Sequence, residues 1–316
     1  MINNLEKKNL DLQTLADSFG TDVSEVKRIC EEKLYDINTE YKVYSGLERE
    51  KLIVEIIKSI DSDKQIIGAP ERKNVWNDGW DENLNLLKSN NYQLETLMPK
   101  FNLVRKNKPM RFMGEYILPN EKNFEHEYFN IYREWLFEKY FSDFDSIYDI
   151  GCGSSYNLIE LTKKFPNKKI YGFDFVQPSV DIVNEIAKFY NLNAEGKIFD
   201  ITNPDHNIHL DENSLIFTSG CIEQVGENYE KFIDYILEMK PKLVVNNEPI
   251  YELYDQDILF DYLAAKFHHK RGYTRGYLPR LRELEKEGKI QIIKLKRLNF
   301  GSLLMEGYTY IVWKPL

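Results

Sequence analysis

The 316-residue sequence predicts an α/β fold. It is a doubly wound, mostly parallel seven-stranded sheet with an antiparallel last strand, preceded by an N-terminal helical extension. Three observations predict it. From Ser146 onward, short apolar runs alternate with amphipathic runs of helical period. The first of these strands ends in a glycine-rich turn. The last two strand candidates are joined by a loop too short for a parallel crossover, which needs a dozen or more residues.

Taken in order, residues 1–70 read as helical. Leu12, Leu15, Phe19, Val23, Val26 and Ile29 form one apolar set, and Leu52, Ile53, Ile56, Ile57 and Ile60 repeat at i, i+3, i+4 spacing. "GAPERKN" reads as a break. Residues 71–125 read as irregular and rich in Asn, Trp and Tyr, before a helix over 125–140. Then "SIYDI" is a strand, "YNLIELTKKF" a helix, "KIYGFDF" a strand and "SVDIVNEIAKFY" a helix. "GKIFDI" and "SLIFTS" are strands, "YEKFIDYILEMK" a helix and "KLVVNNE" a strand, before the hairpin "KIQIIKLKRL" and "YTYIVWK". The expected division is a helical extension over 1–70, a lid or connecting segment over 71–140 and the α/β domain over 141–316.

Composition bounds the class. Hydrophobic residues are 42 % and aromatics 14 %, enough for a packed core and unlike a disordered chain. The net charge of −9 argues against a nucleic-acid polyanion as partner. Three scattered cysteines, Cys30, Cys152 and Cys221, fit a reducing compartment better than a disulfide framework. No apolar run approaches membrane-span length, and the start lacks a signal-peptide core, so a soluble cytoplasmic protein without a membrane partner is expected.

The turn after "SIYDI" runs Gly151-Cys152-Gly153-Ser154-Ser155-Tyr156. A strand feeding glycines and then a helix start offers close backbone approach and free N–H groups to a ligand. A dinucleotide fingerprint would need a third glycine at position 156, where Tyr156 would crowd the helix–strand contact. What remains is Asp149-x-Gly151-x-Gly153 at a strand end. Further acids follow at strand ends: Asp174, 21 residues past Gly153, and Asp200. Over roughly residues 125–316 this pattern resembles the class I S-adenosylmethionine (SAM)-dependent methyltransferases.

The resemblance implies SAM as cofactor. Asp149 would hold its ammonium, Asp174 with Phe175 its ribose, and Asp200 with Ile201 its adenine. Ser219 and Cys221, in "TSGCIEQV", would stand beside the sulfonium. Asp149 also reads as a cap on the following helix.

The acceptor and its proton need other groups. Glu223 and Glu248 follow the fourth and fifth strands, where open α/β sheets bind ligands, and are the candidate bases. They read equally as a helix-start acid and a turn acid before Pro249. Placing Leu259, Tyr262 and Leu263 on the buried face of a helix puts His269 at its flank and His268 toward solvent, so His269 is the third catalytic candidate. A surface histidine near a helix end is the alternative. Tyr251, Arg271 and Tyr273, with Arg275 and Tyr277 close by, suit an anionic acceptor, or else form a solvated basic loop. Arg111, Tyr116 and His126 are lid candidates, the first two as acceptor contacts. No paired metal-binding aspartates stand out, so a metal-independent reaction is expected.

"LQTLADSFGTDVSEVKRICEE" has the look of a helix-turn-helix, but residues 1–70 hold 10 Lys+Arg against 14 Asp+Glu, a poor DNA reader. A cap, an acceptor lid or a homodimer element fits better. The expected activity is methyl transfer to an oxygen, or a nitrogen, of a small polar metabolite such as a sugar or nucleotide-sugar. The alternatives are a peptide or protein side-chain methyltransferase and a non-catalytic SAM-binding module.

Overall fold

The computed structural model describes residues 5–67, 72–98 and 108–316. Part of the "GAPERKN" break and part of the 71–140 segment lie outside the described residues. The N-terminal region is not purely helical. β1 (Glu6–Asn9) precedes α1 (Leu12–Phe19), α2 (Val23–Tyr35), β2 (Glu40–Val43) and α3 (Gly46–Ser62). Neither strand is legible in the sequence, because "EKKN" and "EYKV" are four residues each and carry lysines. Asp11 caps α1 by accepting from Thr14 N at 2.7 Å, and Gly20 closes it in the left-handed region.

The segment read as irregular contains α4 (Arg72–Ser89), an 18-residue helix. Only Asn83, Leu84 and Leu87 on it are buried, so it shows almost no apolar stripe for a periodicity reading to find. β3 (Met110–Phe112), β4 (Glu115–Pro119) and α5 (Phe124–Tyr140) follow.

The α/β domain then runs β5 (Ser146–Ile150), α6 (Tyr156–Lys164), β6 (Lys169–Asp174), α7 (Gln177–Tyr190), β7 (Ala194–Ile198) and β8 (Ser214–Ser219). It continues with α8 (Glu230–Met239), β9 (Leu243–Asn247), α9 (Leu259–Arg271), α10 (Tyr277–Lys286), β10 (Ile290–Arg297), β11 (Phe300–Ser302) and β12 (Thr309–Pro315). Seven strands pair in the order β10-β12-β9-β8-β5-β6-β7. β12 runs antiparallel to both neighbours, and the remaining pairings are parallel. All five residues of β5 are buried, as a central strand covered on both faces requires.

A second sheet, β1-β2-β4-β3-β11, binds the two ends of the chain together. β11 leaves the terminal hairpin and pairs with β3, Gly301 facing Arg111. Phe19 of α1 packs against Tyr132 and Trp135 of α5 at 5.4 and 5.1 Å between centroids. All three are fully buried, at about 1.5–3 kcal/mol for a side chain of this kind. α2 lies on α5 through Val26, Cys30 and Leu34, with Arg28 and Lys33 paired to Glu138 and Glu134. The helix with the DNA-reader pattern is therefore docked, and those two cations are engaged.

Candidate active site

The sheet order changes direction at β5: β6 and β7 lie on one side, β8 and β9 on the other. Ligands of open α/β folds bind at such a switch point, beyond the carboxyl ends of the strands. The glycine turn stands there. Gly151 (φ 72°) and Gly153 (φ 52°) are left-handed, and a β-carbon on Gly151 would fall 2.4 Å from Cys221 Cβ. Gly151 N donates to Phe173 O at 2.7 Å, tying the turn to β6. Ser155 is also left-handed (φ 65°), so a third glycine-like position exists one residue before Tyr156.

Asp149 is buried, and its Oδ2 has no hydrogen-bond partner. Burial, then the like charge of Asp174, pushes its carboxyl up to about 7, against the pull of Arg133. Asp174 accepts from Gly153 N at 2.9 Å and Val176 N at 3.2 Å, so it shapes the turn it faces. Burial raises it to about 6. Phe175 beside it is half-buried. β7 ends at Ile198, so Asp200 stands two residues beyond the strand rather than closing it, and it accepts from Thr202 N at 2.8 Å. Ile201 is buried in one cluster with Phe173 and Phe199. These residues fit a cationic, adenine-bearing group: two dry carboxylates, one with an orphan oxygen, around a turn open to close backbone approach.

Beyond β8 the chain makes one tight turn over Ile222–Val225, and Glu248 holds it. Its buried carboxylate accepts from Cys221 N and Glu223 N, both at 3.2 Å. Burial pushes Glu248 up to about 7. Glu223, on the turn itself, is partly exposed and accepts from Gln224 Nε2. Ser219 accepts from Asn247 Nδ2 at 2.9 Å, while Asn247 Oδ1 is buried without a partner. Asn246 is committed to the core, accepting from Tyr277 Oη and Trp313 Nε1. Burial holds the Cys152 and Cys221 thiols well above their ordinary values, so neither is a thiolate.

The two histidines are the reverse of the expected pair. α9 buries Phe260, Asp261, Leu263, Ala264, Ala265, Phe267 and His268, while Leu259 and Tyr262 are 48 % and 44 % exposed. The helix is rotated about one residue from the expected phase, so His269 is exposed and His268 is fully buried against Thr274 O at 2.8 Å. Thr274 N in turn donates to Glu223 O at 3.1 Å. His268 thus supports the turn that carries Glu223, and His269 does not enter it.

Tyr251 and Tyr273 flank His268, with ring centroids at 5.4 and 5.3 Å. Arg271 pairs with Asp63 and lies 4.9 Å from the Phe267 ring, tying α9 to the end of α3. Arg111 and Tyr116, expected at the acceptor, are wholly buried. Arg111 contacts Asp261 and Glu306, at 3.4 and 3.6 Å, and both acids also pair with Arg297. That charge cluster joins β3, α9 and β10 and is structural. His126 pairs with Tyr156 Oη at 3.0 Å, at the base of α6.

Two further residues were missed by sequence reasoning. Arg133, on α5, reaches Asn157 and the Tyr156 carbonyl at the start of α6. Trp80, on α4, lies against Gly153. The four-residue spacing of Trp76 and Trp80 was the one available signal for the second.

With β12 antiparallel between β10 and β9, and the glycine turn at the β5 switch point, the architecture is settled. This is the class I methyltransferase fold. No protein-family model matches the chain, and no curated protein does. Among solved structures the chain is similar to a SAM-dependent methyltransferase from Aquifex aeolicus. The identity is 16 %, the TM-score 0.39, and 58 % of this chain and 88 % of that one are covered. It is also similar to the plantazolicin methyltransferase BpumL, solved with a monoazolic desmethylPZN analogue and SAH, at 15 % identity, TM-score 0.40, and coverage of 57 % and 79 %. A third likeness is the [4+2]-cyclase SpnF, at 11 % identity, TM-score 0.42, and coverage of 58 % and 78 %. Likenesses this remote add nothing to the sheet order and the turn.

Proposed function

We propose that the protein binds SAM and moves its methyl group to an oxygen or nitrogen of a small polar acceptor. One observation carries the reading: the buried Asp149 carboxylate, with an orphan oxygen, directly behind a left-handed glycine turn at the switch point. A cation with hydrogen-bond donors satisfies that oxygen; a pyrophosphate would be repelled by it and by Asp174. The cofactor supplies a methyl on a positively charged sulfur, a group that needs positioning more than activation. Asp149 takes the ammonium, Asp174 the ribose hydroxyls and Asp200 the adenine edge.

At the acceptor end, Glu223 is the base. It is partly exposed, on a turn held rigid by Glu248, and it would take the acceptor proton as the methyl passes from sulfur to acceptor, breaking the sulfur–methyl bond and leaving the neutral thioether. Asn247 Oδ1 and Ser219 orient the acceptor. Glu248, with two backbone donors on its carboxylate, is a positioning residue. A sugar or nucleotide-sugar suits so polar an end.

Calorimetric titration with SAM and with S-adenosylhomocysteine (SAH) tests the cofactor, with micromolar binding of both expected. Absence of binding by either ligand would refute the reading. Turnover of SAM against a metabolite panel including nucleotide-sugars then identifies the acceptor, and Glu223→Gln is expected to lower turnover at least about a hundredfold while leaving SAM affinity unchanged.

A further inference from the structure

Trp80 stands one helical turn after Trp76 on α4. A β-carbon on Gly153 would come within 2.9 Å of Trp80 Cζ2, so the indole lies directly against the glycine turn. Trp76 stacks beside it, with centroids 5.8 Å apart and planes at 21°. Lys73 on the same helix sits 5.9 Å from the ring of Phe175, the residue after the ribose acid. α4 therefore lies across two consecutive cofactor loops. Its far end is fixed on α7, where Lys88 pairs with Glu185 at 3.1 Å and Tyr92 stacks on Phe189 at 4.3 Å.

Resting on the SAM reading above, we infer that Trp80 recognises the positive sulfur of the cofactor and so distinguishes SAM from its product. A sulfonium has no N–H or O–H to donate. The protein groups that attract it are carboxylates and the negative face of an aromatic ring, of which indole is the strongest. Around the turn stand two carboxylates, Asp149 and Asp174, and the Trp80 indole, which meets Gly153. SAH has nearly the same shape and keeps the ammonium, ribose and adenine, but its sulfur is neutral. Contacts to those shared parts bind both ligands alike; an aromatic ring that attracts the positive sulfur would favour SAM and speed product release.

Calorimetry on the full chain, with SAM and SAH titrated separately into wild type, Trp80→Phe and Trp80→Ala, tests this. The alanine variant is expected to lose roughly three- to thirtyfold in SAM affinity and far less in SAH affinity, with the phenylalanine variant between. Equal losses for the two ligands would make Trp80 a packing wall. Gains for both would make it a plug. Either result overturns the inference and leaves the cofactor reading standing. Wild type that binds neither ligand would remove the cofactor reading and this inference with it. Trp80→Phe keeps an aromatic ring on Gly153, so the comparison survives should the alanine variant fail to fold.

Discussion

Asp149 and Asp174 carry a pH dependence that can be worked out in sign. Both carboxyls are raised, to about 7 and about 6, with burial the largest cause. The folded protein therefore holds these protons more tightly than the unfolded chain. Their contribution to stability is fully present below the unfolded carboxyl value near pH 4 and is lost as pH rises toward 7. A cation bound beside them reverses the preference, because it needs the ionised form. SAM affinity is expected to rise about tenfold between about pH 5.5 and pH 7.5, with proton release visible in buffers of different ionisation enthalpy. A flat profile would contradict Asp149 as the ammonium site. At the turn, Gly151→Val places a branched side chain on Cys221 and in a left-handed conformation, and is expected to abolish SAM binding. Cys152→Ala is expected to leave binding unchanged, because the Cys152 thiol is buried and protonated. Loss of SAM binding in that folded variant would show the thiol to be more than filler.

α9 shows how one helix decides which of two adjacent histidines matters. Successive residues point 100° apart, so a phase error of one residue exchanges an exposed side chain for a buried one. The apolar residues Leu259 and Tyr262 suggested one face; the tertiary partners are on the other, where α3 offers Leu52, Ile53, Ile56 and Ile60. Burial lowers His268 to about 4. Held neutral in the fold, it contributes stability that is fully present above pH 6.5 and is lost as pH falls toward 4. His268→Gln is expected to cost about 1–3 kcal/mol in denaturant titrations at pH 7 and to flatten that acid limb. His269→Ala is expected to change stability by less than about 0.5 kcal/mol. Equal effects from the two would refute the phase of the helix.

Across the whole molecule, the first seventy residues belong to the fold. β1 pairs with β2, β2 pairs with β4 from the middle of the chain, and β11 from the C-terminal hairpin completes the same sheet through β3. Ser18 hydrogen-bonds Tyr128 and the Leu298 carbonyl, and Tyr310 donates to Phe19 O at 2.7 Å. Deleting residues 1–65 is therefore expected to leave an insoluble chain or one without cooperative thermal unfolding. A soluble truncated protein that binds SAM with wild-type affinity would show the extension to be dispensable. No helix among the described residues is long and apolar enough to cross a membrane.

The sequence by itself determined the seven-stranded sheet, its antiparallel strand, the glycine turn and the acids around it. Each is a local property: two-residue alternation, a backbone conformation that glycine favours, or a side chain at a strand end. The tertiary structure alone decided the rest. Trp80 meets Gly153, Arg111 meets Asp261 and Ser18 meets Leu298, and in no case does either residue's own neighbourhood indicate the other. Arg111 was expected at the acceptor because its segment lies ahead of the first strand of the α/β domain, where a lid is expected; it is buried instead, because two acids, 150 and 195 residues further along the chain, compensate its charge. "SIYDIGCGSS" shows both sides. Its glycines and Asp149 indicated a cofactor turn, and only the tertiary structure brought the Trp80 indole against Gly153.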